Sequence, residues 1–264
     1  TFGDAPFTVS ATASSGLAVT FSLVSGPASV SGSTVTLTGA GSVTMRATQA
    51  GDTNYASATP VDQTFTVAKA DQAITFGALP NRTFGDAPFT VSATASSGLA
   101  VTFAVVSGPA TMSSNLVTLT GAGAVTVRAS QAGNTNYNAA ATVDQSFTVG
   151  KSAQTITFGT LSSKTFGEAP FTVSATASSG LAVSFSVVSG PATISGNTVT
   201  LTNAGTVVLR ATQGGNTNFL AAADVDQSFT VGKASQTITF GTLANRTFGD
   251  APFTVSATAS SGLA

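Results

Sequence analysis

Apolar and polar residues alternate along short stretches of this chain, most regularly in its middle part. In residues 125–129, for example, the order is Val-Thr-Val-Arg-Ala, with every second side chain apolar. A period of two places one set of side chains on a buried face and the other in solvent, as in a β-strand. No stretch has the 3.6-residue period of an amphipathic helix. The stretches with the strand pattern are 72–76, 89–95, 101–105, 117–120, 125–129 and 143–149.

Turn signals separate these stretches. They are Ser-Gly at 97–98, Ser-Gly-Pro at 107–109, Gly-Ala-Gly at 121–123 and Gly-Asn-Thr-Asn at 133–136. Glycine and asparagine tolerate the positive φ angles of tight turns, and proline fixes the φ angle of a corner. Short strands at this spacing are typical of a β-sandwich or a β-barrel, so the sequence predicts an all-β fold.

A long internal repeat organises the whole chain. The segment Thr-Phe-Gly-Asp-Ala-Pro-Phe begins at Thr1 and returns at Thr83, Thr165 and Thr247, a spacing of 82 residues, with Glu168 replacing the aspartate once. This spacing is the length of a small domain and is too long for a solenoid coil or a propeller blade.

The repeat predicts four divisions of the chain. We expect an incomplete domain without its first strand at 1–69 (repeat 1), complete domains at 70–151 (repeat 2) and 152–233 (repeat 3), and the first strands of a further domain at 234–264 (the C-terminal segment). Because residues 1–18 and 247–264 are identical, we expect the chain to be part of a longer array.

Each complete repeat has enough apolar residues for a core without disulfide or metal support. Burying one large apolar side chain contributes about 1.5–3 kcal/mol, so the gross gain per repeat is tens of kcal/mol, the scale needed against chain entropy. The core candidates of repeat 2 include Ile74, Phe76, Phe84, Phe89, Val91, Val101, Phe103, Val105, Leu119, Val125, Val127, Phe147 and Val149.

The linker at 150–153 has only four residues, which restricts bending and predicts end-to-end packing of neighbouring domains.

The composition excludes several classes of function. The chain has no Cys, His or Trp, which excludes disulfides, Cys/His zinc sites and His-dependent catalysis. Charged residues make up 7%, against about 25% in ordinary soluble domains, and the net charge of −1 offers no basic surface to nucleic acid or anionic membranes. Mean hydropathy is +0.34, yet no apolar run approaches the ~18–20 residues of a membrane-spanning helix. We therefore predict no catalytic, cofactor-binding or metal-binding residue, no enzyme activity and no membrane insertion within this segment.

Four motifs of repeat 3 together resemble bacterial immunoglobulin-like tandem-repeat domains of large secreted or cell-surface proteins. They are Gln-Thr-Ile-Thr-Phe at 154–158, Val-Val-Ser-Gly-Pro-Ala at 187–192, Ala-Thr-Gln-Gly-Gly-Asn-Thr-Asn-Phe at 211–219 and Val-Asp-Gln-Ser-Phe-Thr-Val at 225–231. The resemblance implies an immunoglobulin-like sandwich, an extracellular or cell-surface location, and a role as stalk, spacer, adhesin or fibre. It brings no catalytic residue. Phe219 stands where repeats 1 and 2 have Tyr55 and Tyr137, so a tyrosine-corner hydroxyl bond is not required.

One arginine and one aspartate flank the Gly-Asn-Thr-Asn turn in repeat 2. A hairpin centred on Asn136 places Arg128 directly opposite Asp144. We predict an exposed structural ion pair between these strands, and a ligand-binding pair is the alternative. The predicted pairs are Arg46 with Asp62, Arg128 with Asp144, and Arg210 with Asp226.

The acidic residue of the Phe-Gly-Asp/Glu-Ala-Pro turn recurs at Asp4, Asp86, Glu168 and Asp250. An aspartate in such a turn commonly accepts hydrogen bonds from nearby backbone amides. A calcium site is the sharper alternative, but calcium needs 6–8 oxygen ligands, and no clustered acidic pattern supplies them.

A lysine recurs at the predicted domain junctions, at Lys69, Lys151 and Lys233. We expect these lysines to be solvated. The alternative is an isopeptide bond to an asparagine side chain, which needs an inward-facing lysine that no predicted strand provides.

Near-identical copies favour a structural role. Length and strength require many equivalent domains, whereas specific binding needs only one specialised domain. We predict an extracellular stalk or filament whose length is set by repeat number, and an adhesin that binds a surface or polysaccharide is the alternative. Outward threonines such as Thr90 and Thr126 form neutral faces, so self-association with copies of the same chain is expected, and a glycan or surface ligand is possible. An ice-binding face is disfavoured because twisted sheets rarely present flat threonine arrays.

Overall fold

The computed structural model describes residues 1–263, and strands are the regular structure of this part of the chain. No helix occurs among these residues, so none there is long and apolar enough to cross a membrane. The all-β prediction is confirmed. The chain divides into two compact units, Thr1–Lys151 and Ser152–Ala264, and each is described separately.

The first unit contains repeats 1 and 2. The strands of repeat 1 are β1 (Phe7–Thr8), β2 (Thr20–Ser25), β3 (Ala28–Ser31), β4 (Thr34–Leu37), β5 (Gly41–Thr48) and β6 (Val61–Val67). The strands of repeat 2 are β7 (Ile74–Phe76), β8 (Arg82–Thr83), β9 (Phe89–Thr90), β10 (Ala93–Ala95), β11 (Thr102–Ser107), β12 (Ala110–Ser113), β13 (Leu116–Leu119), β14 (Gly123–Ser130) and β15 (Val143–Gly150).

The second unit contains repeat 3 and the C-terminal segment. The strands of repeat 3 are β16 (Ile156–Phe158), β17 (Lys164–Thr165), β18 (Phe171–Thr172), β19 (Ala175–Ala177), β20 (Ser184–Ser189), β21 (Ala192–Ser195), β22 (Thr198–Leu201), β23 (Gly205–Thr212) and β24 (Val225–Gly232). The C-terminal segment contributes β25 (Ile238–Phe240) and β26 (Ala257–Ala259).

Repeat 2 is a two-layer sandwich. One layer is a four-stranded sheet in the order β11-β14-β15-β8, in which only the β15–β8 pair is parallel. The other layer consists of β12-β13-β9 and the pair β10-β7. Repeat 3 has the same order, with β20-β23-β24-β17 in one layer and β21-β22-β18 and β19-β16 in the other. These are immunoglobulin-like sandwiches.

The predicted strand at 89–95 is two strands. Phe89–Thr90 (β9) pairs with β13, whereas Ala93–Ala95 (β10) pairs with β7. Val91 lies between them, buried, with its backbone N–H bonded to the carbonyl oxygen of Asn115 at 2.9 Å. The continuous alternation of the sequence thus serves two different partner strands in succession.

The core of each complete repeat lies between the two layers. In repeat 2 the side chains of Val117, Val125 and Val127 are completely buried. The ring of Phe76 meets that of Phe103 edge-on at 5.5 Å between centroids, and Phe89 meets Phe147 at 5.6 Å. The remaining predicted core residues of repeat 2 are buried or half-buried against this cluster.

Candidate functional site

The three predicted arginine–aspartate pairs lie directly opposite each other on neighbouring strands. Arg128 on β14 faces Asp144 on β15, and its Nε and Nη2 donate to the two carboxylate oxygens at 2.8 Å each. Such bidentate geometry is the strongest form of an arginine–carboxylate ion pair. The same pairing joins Arg46 to Asp62 at 2.7 and 2.8 Å, and Arg210 to Asp226 at 2.8 and 2.8 Å.

The hydrogen bonds from arginine hold the pKa of each aspartate below its ordinary value. Desolvation acts in the opposite direction at Asp62, Asp144 and Asp226, and the arginine charge adds to the lowering. All of these side chains remain about two-fifths exposed to solvent. Each of these aspartates already has a basic partner on the neighbouring strand.

The acidic residue of the recurring turn accepts a backbone hydrogen bond within that turn. Asp86 accepts from the Thr83 amide at 2.9 Å, Glu168 from the Thr165 amide at 2.6 Å, and Asp250 from the Thr247 amide at 2.9 Å. The Thr165 amide is also the main cause that lowers the pKa of Glu168. Within residues 1–263, no three acidic, histidine or cysteine side chains come together as metal ligands.

One loop of repeat 2, residues 133–137, is held in a defined conformation by hydrogen bonds within the loop and by a glycine. The side-chain Oδ1 of Asn134 accepts from the amides of Asn136 and Tyr137 at 2.8 and 2.9 Å. Gly133 has a φ of +77°, and a Cβ there would lie 2.4 Å from the Tyr137 carbonyl oxygen, so only glycine fits. We call residues 133–137 the brace loop.

The brace loop is hydrogen-bonded to Ala70, at the border between repeats 1 and 2. The Ala70 amide donates to the Asn136 carbonyl oxygen, and the Asn138 amide donates to the Ala70 carbonyl oxygen, both at 2.9 Å. Ala70 and Tyr137 form a parallel β-bridge. The first residue of repeat 2 is therefore fixed to a surface loop of its own domain.

The brace loop also contacts repeat 1 at three separate places. Lys69 Nζ donates to the Asn134 carbonyl oxygen at 2.7 Å, and the Ala40 amide donates to Asn136 Oδ1 at 2.9 Å. The rings of Phe2 and Tyr137 meet edge-on at 5.5 Å between centroids. Contacts from the beginning, the middle and the end of repeat 1 converge on this loop, so the joint between the two repeats resists bending in more than one direction.

The sequence indicated a turn at 133–136 but not its contact with repeat 1. Lys69 was expected to be solvated and is exposed, and its ammonium group in addition donates to a backbone carbonyl of the neighbouring repeat. The turn recurs in every repeat, as Gly-Asp-Thr-Asn at 51–54 and as Gly-Asn-Thr-Asn at 133–136 and 215–218. This recurrence is a signal that more than local turn geometry is required.

No family model matches the sequence, and no curated protein matches it. Among solved structures, Drosophila N-cadherin EC1-3 is 12% identical with a TM-score of 0.31, and the similarity covers 86% of this chain and 92% of that chain. Sidekick-1 immunoglobulin domains 1-5 are 12% identical with a TM-score of 0.31, covering 82% and 52% of the two chains.

A third similar structure is surface layer protein SbsC, domains 1-6. It is 16% identical with a TM-score of 0.26, and the similarity covers 86% of this chain and 37% of that chain. The three structures are tandem-domain proteins whose names refer to cadherin domains, immunoglobulin domains and a surface layer. Their identities and TM-scores are too low to assign a ligand or a residue role to this chain.

Proposed function

We propose that this chain is a segment of an extracellular or cell-surface stalk or filament whose length is set by the number of repeats. The observation that carries the proposal is the joint between repeats 1 and 2, where the brace loop binds the linker and three parts of the preceding repeat. A flexible string of domains needs no such contacts. A stalk does, because each bendable joint would shorten its reach.

The chemistry of the chain fits a structural role. With charged residues at 7%, few groups are available for acid–base or nucleophilic work. The ionisable residues placed above bond to each other or to backbone groups. We propose that Arg46, Arg128 and Arg210 form ion pairs with their aspartates that stabilise the long hairpin of each repeat, and that these pairs do not bind a ligand.

The proposed domain borders lie at 69/70, 151/152 and 233/234. The first of these falls between Lys69, which reaches forward to the brace loop, and Ala70, which is bridged to it. In this arrangement the residues at the border belong to the joint itself and leave no loose linker between the domains.

The proposal is tested by the dimensions of proteins that contain two, four and six complete repeats. Small-angle X-ray scattering gives the maximum dimension of each protein. A stalk adds a constant increment per repeat, whereas freely jointed domains extend with roughly the square root of their number. A square-root dependence would reject the stalk.

Self-association with copies of the same chain is part of this proposal, because a neutral threonine-rich surface lacks charge repulsion between molecules. An adhesin is the alternative that the same proteins test. Specific retention of one repeat on an array of glycans would favour the adhesin, and equal lack of retention by proteins of every length would favour the stalk.

A further inference from the structure

The beginning and the end of repeat 2 are joined directly to each other. Residues 76–84 are hydrogen-bonded to residues 145–150, and within this contact β8 pairs in parallel with β15. We call the contact between residues 76–84 and residues 145–150 the terminal seam. Because it links the first part of the repeat to its last strand, a pull on the two ends of the repeat acts on the two sides of this seam.

Side-chain hydrogen bonds extend the terminal seam beyond the short strand β8. Gln145 Nε2 donates to the Phe76 carbonyl oxygen at 2.8 Å, and the Thr148 amide donates to Asn81 Oδ1 at 2.8 Å. Since β8 has only two residues, these two bonds make up a large part of the hydrogen bonding across the seam.

Tension along a stalk loads the terminal seam in shear. Because β8 and β15 are parallel, a pull on the chain before β8 and a pull on the chain after β15 act in opposite directions along the two strands. The hydrogen bonds across the seam then bear the load together, whereas a hairpin such as β12–β13 opens one bond at a time when its ends are pulled. The terminal seam therefore lies where it resists stretching of the repeat.

Strand β7 precedes the terminal seam along the chain but does not replace it. β7 pairs with β10, which belongs to the middle of the repeat, and not with the last strand. Detachment of β7 from β10 would leave β8 still paired with β15. The load would then pass to the terminal seam.

Repeat 3 has the same seam with one hydrogen bond fewer. β17 pairs in parallel with β24 in the register of β8 and β15, and Gln227 Nε2 donates to the Phe158 carbonyl oxygen at 2.9 Å. Ser163 stands at the position of Asn81, and in the part of the chain that the structure describes no hydrogen bond joins it to β24. The serine side chain ends one covalent bond short of the position that the asparagine oxygen reaches.

The seams of repeats 2 and 3 are similar in how their short strands contact the core. β8 and β17 each begin with a basic residue whose charged group lies over a phenylalanine ring of the same repeat. The distance to the ring centre is 4.4 Å for Arg82 over Phe89 and 5.0 Å for Lys164 over Phe171. These cation–π contacts hold the short strand against the core in both repeats.

We propose that the terminal seam of each complete repeat bears tension along the chain, and that Asn81 strengthens the seam of repeat 2 by a bond that repeat 3 lacks. This load-bearing role rests on the stalk function proposed above. The Asn81 bond crosses the seam, so it must break before the two sides separate. Forced unfolding is governed by the unfolding rate, and interactions lost before the transition state slow that rate.

Single-molecule stretching of the 264-residue chain, held by its two ends under constant force, measures the lifetimes of repeats 2 and 3. Each complete repeat unfolds in a step that releases 82 residues, more than repeat 1 or the C-terminal segment contains. Asn81→Ser, which installs the residue of repeat 3, should shorten the lifetime of one of these two steps by about two- to tenfold. Ser163→Asn should lengthen the lifetime of the other step by a similar factor, because the strand register is the same.

Asn115→Ser is the matched control, because it makes the same change in the turn between β12 and β13, outside the terminal seam. Asn115 Nδ2 donates to the Val91 carbonyl oxygen at 3.2 Å, and repeat 1 has Ser33 at this position. Asn81→Ser and Asn115→Ser should lower the melting temperature by similar small amounts, but only Asn81→Ser should shorten a lifetime under force. Equal shortening by both variants would overturn the proposal, as would lifetimes that neither Asn81→Ser nor Ser163→Asn changes.

Failure of the terminal seam is distinguishable from failure of the stalk. Lifetimes under force depend on bonds within a repeat, whereas the dimensions measured by scattering depend on the joints between repeats. A constant increment in length per repeat, with lifetimes that Asn81→Ser leaves unchanged, would keep the stalk and overturn the seam. A square-root dependence of length, with lifetimes that respond to both substitutions, would reject the stalk and support the seam as a load-bearing contact of single repeats.

Discussion

At the scale of single residues, the arginine–aspartate pairs make stability depend on pH in one direction. The pKa of Asp144 is lowered in the folded chain by the hydrogen bonds from Arg128, relative to about 3.9 in an unfolded chain. The folded state therefore binds fewer protons than the unfolded state between these two values. The stabilisation is complete above pH about 4 and is lost as the pH falls through the lower, folded-state pKa.

We predict that Asp144→Asn lowers the melting temperature at pH 7, by at most roughly 4 °C because the pair is exposed, and that this difference shrinks as the pH falls below about 4. Thermal circular dichroism of the two proteins from pH 7 to pH 2 provides the measurement. Asp62→Asn is the matched variant in repeat 1 and should behave alike. A difference of constant size from pH 7 to pH 2 would show that the geometry of the carboxyl group matters more than its charge.

The register of these pairs was predictable, whereas the role of Asn136 was not. Arg128 and Asp144 are equally distant from Asn136 along one hairpin, so their pairing follows from local strand geometry. The contact of Asn136 Oδ1 with the Ala40 amide joins residues 96 positions apart. No local pattern encodes that distance, because it depends on how two folded domains meet.

At the scale of elements, the Ser-Gly-Pro corner moves the chain from one layer of the sandwich to the other. β11 ends at Ser107 in the four-stranded sheet, and β12 begins at Ala110 in the opposite layer. Gly108 has a φ of +96°, and a Cβ there would lie 2.1 Å from the Ala124 carbonyl oxygen. Both the conformation and the close backbone contact require glycine at this corner.

We predict that Gly108→Ala destabilises repeat 2 by about 1–3 kcal/mol or more, because the backbone of β14 must shift. Gly98→Ala is the control: its φ is +75°, but a Cβ there meets nothing within 4 Å, so only the conformational penalty remains. Thermal unfolding followed by circular dichroism should show a clearly larger shift for Gly108→Ala. Equal shifts would mean that the contact with β14 relaxes without penalty.

The division of residues 89–95 into β9 and β10 shows where sequence patterns stop being informative. Alternation specifies which side chains face the core, and Phe89, Val91 and Ala95 are half-buried or buried as expected. It does not specify which strand supplies the hydrogen bonds. β13 pairs with β9, whereas β7 pairs with β10.

At the scale of the molecule, we expect the brace loop to determine whether repeats 1 and 2 behave as one body. Asn136 supplies an acceptor for the Ala40 amide, and Tyr137 supplies a ring for Phe2. Removing both side chains leaves the backbone bonds between Ala70 and the loop but removes two of the three contacts with repeat 1. The repeats should then remain folded and gain angular freedom about the linker.

We predict that Asn136→Ala/Tyr137→Ala broadens the distance distribution between the two repeats without altering their stability greatly. Spin labels at Ser29→Cys and Thr111→Cys, equivalent exposed positions on β3 and β12, report this distance by double electron–electron resonance, since the chain has no native cysteine. Asn138→Ala is the control, because the Asn138 side chain bonds Asp71 within repeat 2. A distribution that stays as narrow as in the unaltered chain would mean that the short linker alone holds the joint, and the brace loop would lose its role in the stalk.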